Sequence, residues 1–544
     1  MAYNLADLFE HSVDLMPDRI ALIDPSREVT YRELEERSNK LAHYFLSVGL
    51  GEGSHIGIHL HNAIETMEAL IAAFKIRAVA ININYRYTCD ELQYIYDNAQ
   101  LDAVVHHRIY AQQIAEVLPD LPRIHTTLVV EDDLGGTGVF SDARPYEDAL
   151  AGMSADRDFG ERSSRDHFIM YTGGTTGRPK GVVWTQEGIW RVLGGGLDFY
   201  TGEAIEDEHQ QSRVGSEGEP SRWFALPPLI HAAAMMPTFS ALFSGNTVLF
   251  DSKFDPVRTW KLVEKHRMQI MIITGDAMGR PLIEAYRKLD VDASSLFVVA
   301  SGAALFSSQI KDAFLEAFPG LVVSDSIGSS ETGFGGIGIA SKGQKQVGGP
   351  RVPAGRYAMV VDDGNAMVEP GSGVEGWFAK GGYVPIGYYN DPEKTKEIFR
   401  EVDGKRVVVT GDRARIEEDG SITLLGRGNM VINTGGEKVF AEEVEGVVKS
   451  HRDVYDAIVV GVPDDKWGQR VAAVVQARDG GGVDFADLEA HTRANLAGYK
   501  IPRLVWVVDL VERTPSGKPD YRWAHAATEK SEPTHEVHSS KVES

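Results

Sequence analysis

Over its first hundred residues the sequence alternates between two hydrophobic periodicities, and few folds accommodate that. Thr30 and Glu33 have capping-box spacing ahead of a helix with Leu34, Leu41, Phe45 and Val48 on one face, stopped by Gly49. A strand over 55–60, a helix over 63–75 and a strand over 79–83 follow. Thr88 and Glu91 repeat the capping box, and Ala103-Val104-Val105 reads as the next strand. Short strands separated by helices of this length pair in parallel, with helices covering both faces. The alternation resumes at Val248-Leu249-Phe250, Ile270-Met271-Ile272-Ile273 and Phe297-Val298-Val299, so an α/β fold is expected.

At 544 residues the chain exceeds one ordinary core and should form two or three units. The polar, acidic stretch 202–220 reads as a surface loop. Between 335 and 382 dense glycines and turns indicate short antiparallel strands. Past Arg427 the pattern becomes a compact α+β unit, with helices over 441–449 and 485–496 and strands over 457–462, 472–477 and 504–508. The expected divisions are an N-terminal domain, 1–428, a C-terminal domain, 429–528, and a charged, apolar-poor tail, 529–544, expected to be disordered. Lys+Arg 55 against Asp+Glu 79 leaves a net charge of −24, which argues against nucleic acid and anionic membrane surfaces as partners. One cysteine, Cys89, excludes an intramolecular disulfide. With no signal-peptide pattern and no apolar run long enough for a membrane span, a cytoplasmic location is expected.

The chemistry concentrates in Tyr171-Thr172-Gly173-Gly174-Thr175-Thr176-Gly177-Arg178-Pro179-Lys180-Gly181. Glycines bring backbone N–H groups against an anion, threonine hydroxyls add donors, and Lys180 adds a mobile positive charge. A flexible surface loop is the plain alternative. A Walker A loop is excluded, because no Gly directly precedes Lys180 and Pro179 would disrupt the helix such a loop feeds.

This stretch resembles the signature of the adenylate-forming (AMP-binding) superfamily, which includes acyl-CoA synthetases, luciferases and peptide-synthetase adenylation domains. Further segments follow in that family's order: Pro227-Pro228-Leu229-Ile230-His231, Ser301-Gly302-Ala303-Ala304-Leu305, and Asp325-Ser326-Ile327-Gly328-Ser329-Ser330-Glu331-Thr332. Then come Pro385-Ile386-Gly387-Tyr388-Tyr389, Thr410-Gly411-Asp412, Gly426-Arg427, Gly435-Gly436-Glu437-Lys438 and Pro515-Ser516-Gly517-Lys518. The resemblance covers nearly the whole chain. It implies a large N-terminal domain with parallel sheets and a small antiparallel barrel-like part, followed by a small mobile α+β domain.

It also implies ATP as substrate, Mg²⁺ as cofactor and CoA as co-substrate. Residues 172–177 and Lys180 would hold the phosphates, and Ser301 to Ala304 with Asp325 to Ser330 the adenine. Asp412 would take the ribose hydroxyls, with Arg427 assisting at ribose or phosphate. Glu331 would hold Mg²⁺. Lys518 would bridge carboxylate and α-phosphate during adenylation, and His231 would place the acid at the mouth of its pocket rather than act as general base. Asn429 sits at the family's hinge, and Gly435, Gly436 and Lys438 at its thiolation loop. Two positions depart from the family. Ile327 stands where Tyr commonly stacks on adenine, and Asn429 lacks the usual hinge charge.

Acyl specificity is weakly encoded. Ala232-Ala233-Ala234-Met235-Met236 and Gly194-Gly195-Gly196 favour a roomy apolar pocket, although helix packing explains the alanines equally well. The segments at 274–278 and 325–336 resemble those of actinobacterial acyl-CoA synthetases for long-chain fatty acids or steroid side-chain carboxylates. The expected function is ATP-dependent ligation of a hydrophobic carboxylic acid to CoA. Alternatives are a fatty-acyl-AMP ligase loading a carrier protein, an oxidising luciferase-like enzyme, and a nucleotide-binding regulator without turnover. A homodimer is left open.

Overall fold

The alternating periodicities build two eight-stranded sheets, largely parallel, in the computed structural model of the chain. It describes all residues except 1–2, 137–141, 173–177, 197–202, 206, 303, 305, 341–350, 353–356, 428–430, 435–436, 465–466, 479–480, 515–516 and 537–544. The first sheet runs Gly333–Ile339, Val322–Ser329, Val298–Ser301, Ile270–Ile273, Arg222–Ala225, Thr247–Leu249, Ile20–Ile23, Glu28–Thr30. The second runs Gly387–Tyr388, Lys180–Thr185, His167–Thr172, Val79–Asn82, His55–His59, Ala103–His107, Thr126–Val130, Arg144–Pro145. Antiparallel pairs occur only toward their edges among the described residues.

Helices fill the space between the sheets. Ile64–Lys75 is buried along nearly its whole length, and its core is shared with both sheets through residues such as Leu22, Val248, Ile56 and Phe168. Both capping boxes form. Glu33 returns to the Thr30 N–H, and Glu91 to that of Thr88.

A third, antiparallel sheet follows: Arg351–Val352, Ile422–Arg427, Lys405–Ile416, Glu375–Lys380 and Ala358–Val361, with Phe399–Val402 beside the long strand. The fourth begins at Val431 and has its own core of Val, Ala and Ile side chains. It contains Val431–Thr434, Glu437–Phe440, Val454–Asp464, Gly468–Ala477 and Leu504–Val508, with Ala441–Lys449 and Phe485–Asn495 as helices.

Two expectations are corrected. The 202–220 segment carries a helix, Gln210–Ser216, despite its polar composition. Tertiary contacts support it: the Arg19 guanidinium donates to the carbonyls of Gly215 (2.9 Å) and Gly218 (2.6 Å). A Cβ at Gly215 would lie 2.1 Å from the Ser244 carbonyl oxygen, so this approach requires glycine. The C-terminal tail is ordered further than composition suggests. Tyr521–Lys530 is a helix and His535–Glu536 pairs with Leu504–Val508. Trp506 Nε1 donates to the Ser531 carbonyl (2.9 Å) and the Val507 N–H to Thr534 Oγ1 (2.9 Å). Among the described residues, no helix is long and apolar enough to cross a membrane.

Candidate active site

Strands His167–Thr172 and Lys180–Thr185 form a hairpin in which Thr172 faces Lys180. The Gly/Thr loop joins them, so the phosphate-binding candidates Gly173, Gly174, Thr175, Thr176 and Gly177 lie outside the described residues while both flanks are fixed. Lys180 pairs with Asp391, the N-cap of the helix Pro392–Ile398, and lies 5.9 Å from the Tyr388 ring centre. The hydrogen bond from Lys180 holds the Asp391 carboxyl below its usual range. Tyr388, on a strand paired with Lys180–Thr185, donates its hydroxyl to Glu331 Oε1 (2.9 Å). Trp184 donates to the Ser330 carbonyl (2.8 Å), and Ser329 Oγ accepts from the Glu331 and Thr332 N–H groups at 3.2 Å. Elements flanking the phosphate loop thus orient the half-buried Glu331 carboxylate.

The adenine candidates sit at the ends of two adjacent parallel strands, with Ser301 in register with Asp325. Ser326 Oγ donates to the Ser301 carbonyl (3.0 Å), and Lys311 pairs with Asp325 (2.8 Å). Burial raises the Asp325 carboxyl against the opposing pull of Lys311. Ala304 donates its N–H to the Gly302 carbonyl (2.9 Å), and a backbone irregularity falls between Ile327 and Gly328. Ala303 and the Ile327 side chain lie outside the described residues. Asp412, half-buried, is in register with Arg427 on the neighbouring strand, and residues 428–430 separate Arg427 from Val431, where the fourth sheet begins. The Arg427 and Lys438 side chains, Asn429, Gly435 and Gly436 are outside the described residues. The strands flanking the two glycines pair Thr434 with Glu437.

His231 caps the helix Ala232–Phe243, and its Nε2 is buried with no hydrogen-bond partner. Burial, then the charges of Lys518 and Arg86, push its pKa down to about 4, so the ring is neutral near pH 7. Two buried asparagines, which sequence reasoning missed, set its approach. Asn62 donates to the Pro227 carbonyl (3.0 Å) and accepts from the Leu229 N–H (2.7 Å). Asn82 donates to the Ile230 carbonyl and accepts from the Tyr171 N–H (2.9 Å). Asn82 therefore ties the start of the phosphate loop to the residue before His231. A polar Asn ending an apolar strand run was the only available signal.

Lys518 follows a tight turn in which Gly517 has φ +76°. The Thr514 N–H donates to the Lys518 carbonyl (2.8 Å), and Arg513 Nη1 to the Gly517 carbonyl (3.2 Å). Arg513 is itself fixed by a bidentate pair with Asp456, at 2.6 and 2.5 Å. The turn rests on the start of the helix Gly275–Tyr286: a Cβ at Gly517 would lie 3.2 Å from Ala277 Cβ. One face of that helix continues the contact. Arg280 lies 5.5 Å from the Tyr455 ring centre and Glu284 pairs with Arg478 (3.1 Å). The Gly275 N–H also donates to Ser301 Oγ (3.0 Å), linking this helix to the adenine strands. The Lys518 turn therefore rests against the helix that also braces the adenine strands, and the charge of Lys518 contributes, after burial, to the lowered pKa of His231.

The fold is that of the adenylate-forming enzymes. It superposes on ATP-bound MatB from Rhodopseudomonas palustris with a TM-score of 0.81 at 24% identity, covering 97% of this chain and 99% of that one. The profile of the AMP-binding enzyme matches residues 9–389, and that of the AMP-binding enzyme C-terminal domain residues 443–518. The chain belongs to the AMP-binding enzyme family. It is 51% identical over 537 residues to a 3-oxocholest-4-en-26-oate–CoA ligase of Rhodococcus rhodochrous, covering 97% of this chain and 96% of the relative. A medium/long-chain-fatty-acid–CoA/3-oxocholest-4-en-26-oate–CoA ligase of Mycolicibacterium smegmatis is 47% identical over 554 residues, with 100% and 99% covered.

Proposed function

We propose that this enzyme activates a hydrophobic carboxylic acid, a steroid side-chain acid or a medium- to long-chain fatty acid, with ATP, and transfers the acyl group to CoA. The observation that carries this reading is the docking of the Lys518 turn on the start of the helix Gly275–Tyr286 while Glu331 and the phosphate-loop hairpin are held together through Tyr388. Full-length identity to ligases named for such acids supports the substrate class.

A carboxylate is a poor acyl donor because oxide would have to leave. Attack of its oxygen on the α-phosphorus of ATP forms an acyl–phosphate bond and expels pyrophosphate. The CoA thiolate then attacks the acyl carbon and AMP leaves. Negative charge accumulates on phosphoryl oxygens in the first step, so fixed positive groups should provide much of the catalysis. Lys518 would neutralise charge shared by the carboxylate and α-phosphate, and Lys180 charge on the outer phosphates. Neutral His231 can donate one hydrogen bond without competing for the anion as a base. Asp412, an acceptor when ionised, would take the ribose hydroxyls.

Glu331 fits a Mg²⁺ ion: it is a half-buried hard oxygen donor, with one oxygen oriented by Tyr388. Bound there, Mg²⁺ would offset phosphate charge. Gly435 and Gly436 would admit the pantetheine arm of CoA, after the C-terminal unit pivots about Asn429 and withdraws Lys518.

Pyrophosphate release and product mass, measured over fatty, aromatic and steroid acids with and without CoA, test the proposal. An acyl-CoA product, greatest with a steroid or long-chain acid, is expected. Acyl-AMP without thioester would instead establish the carrier-loading ligase.

A further inference from the structure

The contact between the first helix and the 203–220 segment brings together three side chains with no part in ATP chemistry. His11 lies on Leu5–Leu15, while Glu208 and His209 immediately precede Gln210–Ser216. We propose that His11, Glu208 and His209 form a binding site for a divalent transition-metal ion of the zinc class.

The geometry is that of converging ligands. One ligand atom from each of the three residues lies within 4.8 Å of the others. The two imidazoles are 3.7 Å apart, centre to centre, at 33°. His11 Nε2 is buried without a hydrogen-bond partner, which is costly for a nitrogen able to donate or accept. Glu208 already has one oxygen placed, accepting from the Tyr3 N–H at 3.2 Å. Small side-chain rotations would bring two nitrogens and one oxygen to the roughly 2 Å that zinc requires, leaving a fourth position for water. Two imidazoles select zinc-class ions over Mg²⁺ and Ca²⁺, which take oxygen ligands.

The ion would act as a tie. It would fasten the first helix to the start of Gln210–Ser216, whose Gln211 accepts from Trp190 Nε1 (2.7 Å) and donates to the Gly194 carbonyl (3.1 Å). The same contact therefore braces the Gly194-Gly195-Gly196 turn.

Calorimetric titration of the tag-free, chelator-treated enzyme with Zn²⁺ in excess Mg²⁺ tests the site. One equivalent should bind and raise the melting temperature. Co²⁺ in place of Zn²⁺ should give visible absorption of a four-coordinate site. His11→Ala, Glu208→Gln and His209→Ala should each weaken binding at least about tenfold. His209 is exposed, so its variant should fold even if His11→Ala does not. Absence of saturable Zn²⁺ binding, or equal affinity in wild type and His209→Ala, would overturn the assignment.

Discussion

Lys518 is an exposed side chain at the end of a turn, and the groups beneath that turn help to set its position. Arg513 is the principal one. Arg513→Ala removes the bidentate partner of a largely buried Asp456, which should cost about 3 kcal/mol of stability. It should also slow adenylation far more than thioester formation from supplied acyl-AMP. Arg513→Lys should recover little, because an ammonium cannot form the paired contacts of a guanidinium. Stopped-flow measurement of both half-reactions separates this from general instability, since equal loss of the two would mean misfolding. Asn82 positions at longer range. Asn82→Ala leaves the Tyr171 N–H and the Ile230 carbonyl without their partner, at about 1–3 kcal/mol. Pyrophosphate release should slow roughly tenfold, and an unchanged kcat would contradict the clamp. Lys518 and Glu331 were singled out in the sequence because they stand inside recognisable motifs, and their proposed roles await the half-reaction measurements. Asn82 and Asn62 were not: their partners lie 89 to 167 residues away, and no local pattern marks such contacts.

Among the elements, the helix Gly275–Tyr286 makes the contacts with the C-terminal unit on which the proposed mechanism relies. Asp276, Arg280 and Glu284 recur every four residues and share a face. Arg280 and Glu284 meet the C-terminal unit there, and Ala277 supports the Lys518 turn. Glu284→Lys should replace attraction with repulsion toward Arg478. A half-buried, solvent-screened pair such as this is worth about 1 kcal/mol, so the docked pose should fall about fivefold in population. Adenylation should slow accordingly while thiolation from acyl-AMP is spared. Loss of both half-reactions, or of neither, would contradict the docking role. Nothing periodic distinguished this helix from its neighbours in sequence. Helices with local signals were legible: the capping boxes at Thr30 and Thr88 form within four residues. Gln210–Ser216 was missed because its support comes from Arg19 and Ser244, neither of which is local.

Across the whole molecule, buried neutral histidines couple stability to pH. Burial above all pushes His106, His107 and His231 down to about 4. In the unfolded chain each titrates near 6.5, so between about 6.5 and 4 the unfolded state binds more protons than the native state. The stabilisation is full above the unfolded value and is lost as pH falls toward the folded one. The urea midpoint should therefore drop markedly between pH 7.5 and pH 5, and a flat profile would contradict the burial of these rings. The two-sheet architecture was legible at this scale because strand and helix periodicities alternate. The way the fourth sheet docks was not, since it rests on a few side chains from each unit. That docking underlies the proposed division of labour, which the half-reactions of Lys518→Ala test most directly. Acid-dependent pyrophosphate release should fall at least about a thousandfold, with CoA thioester formation from supplied acyl-AMP nearly unchanged. Retained adenylation, or equal loss of both steps in a folded variant, would contradict the role assigned to Lys518.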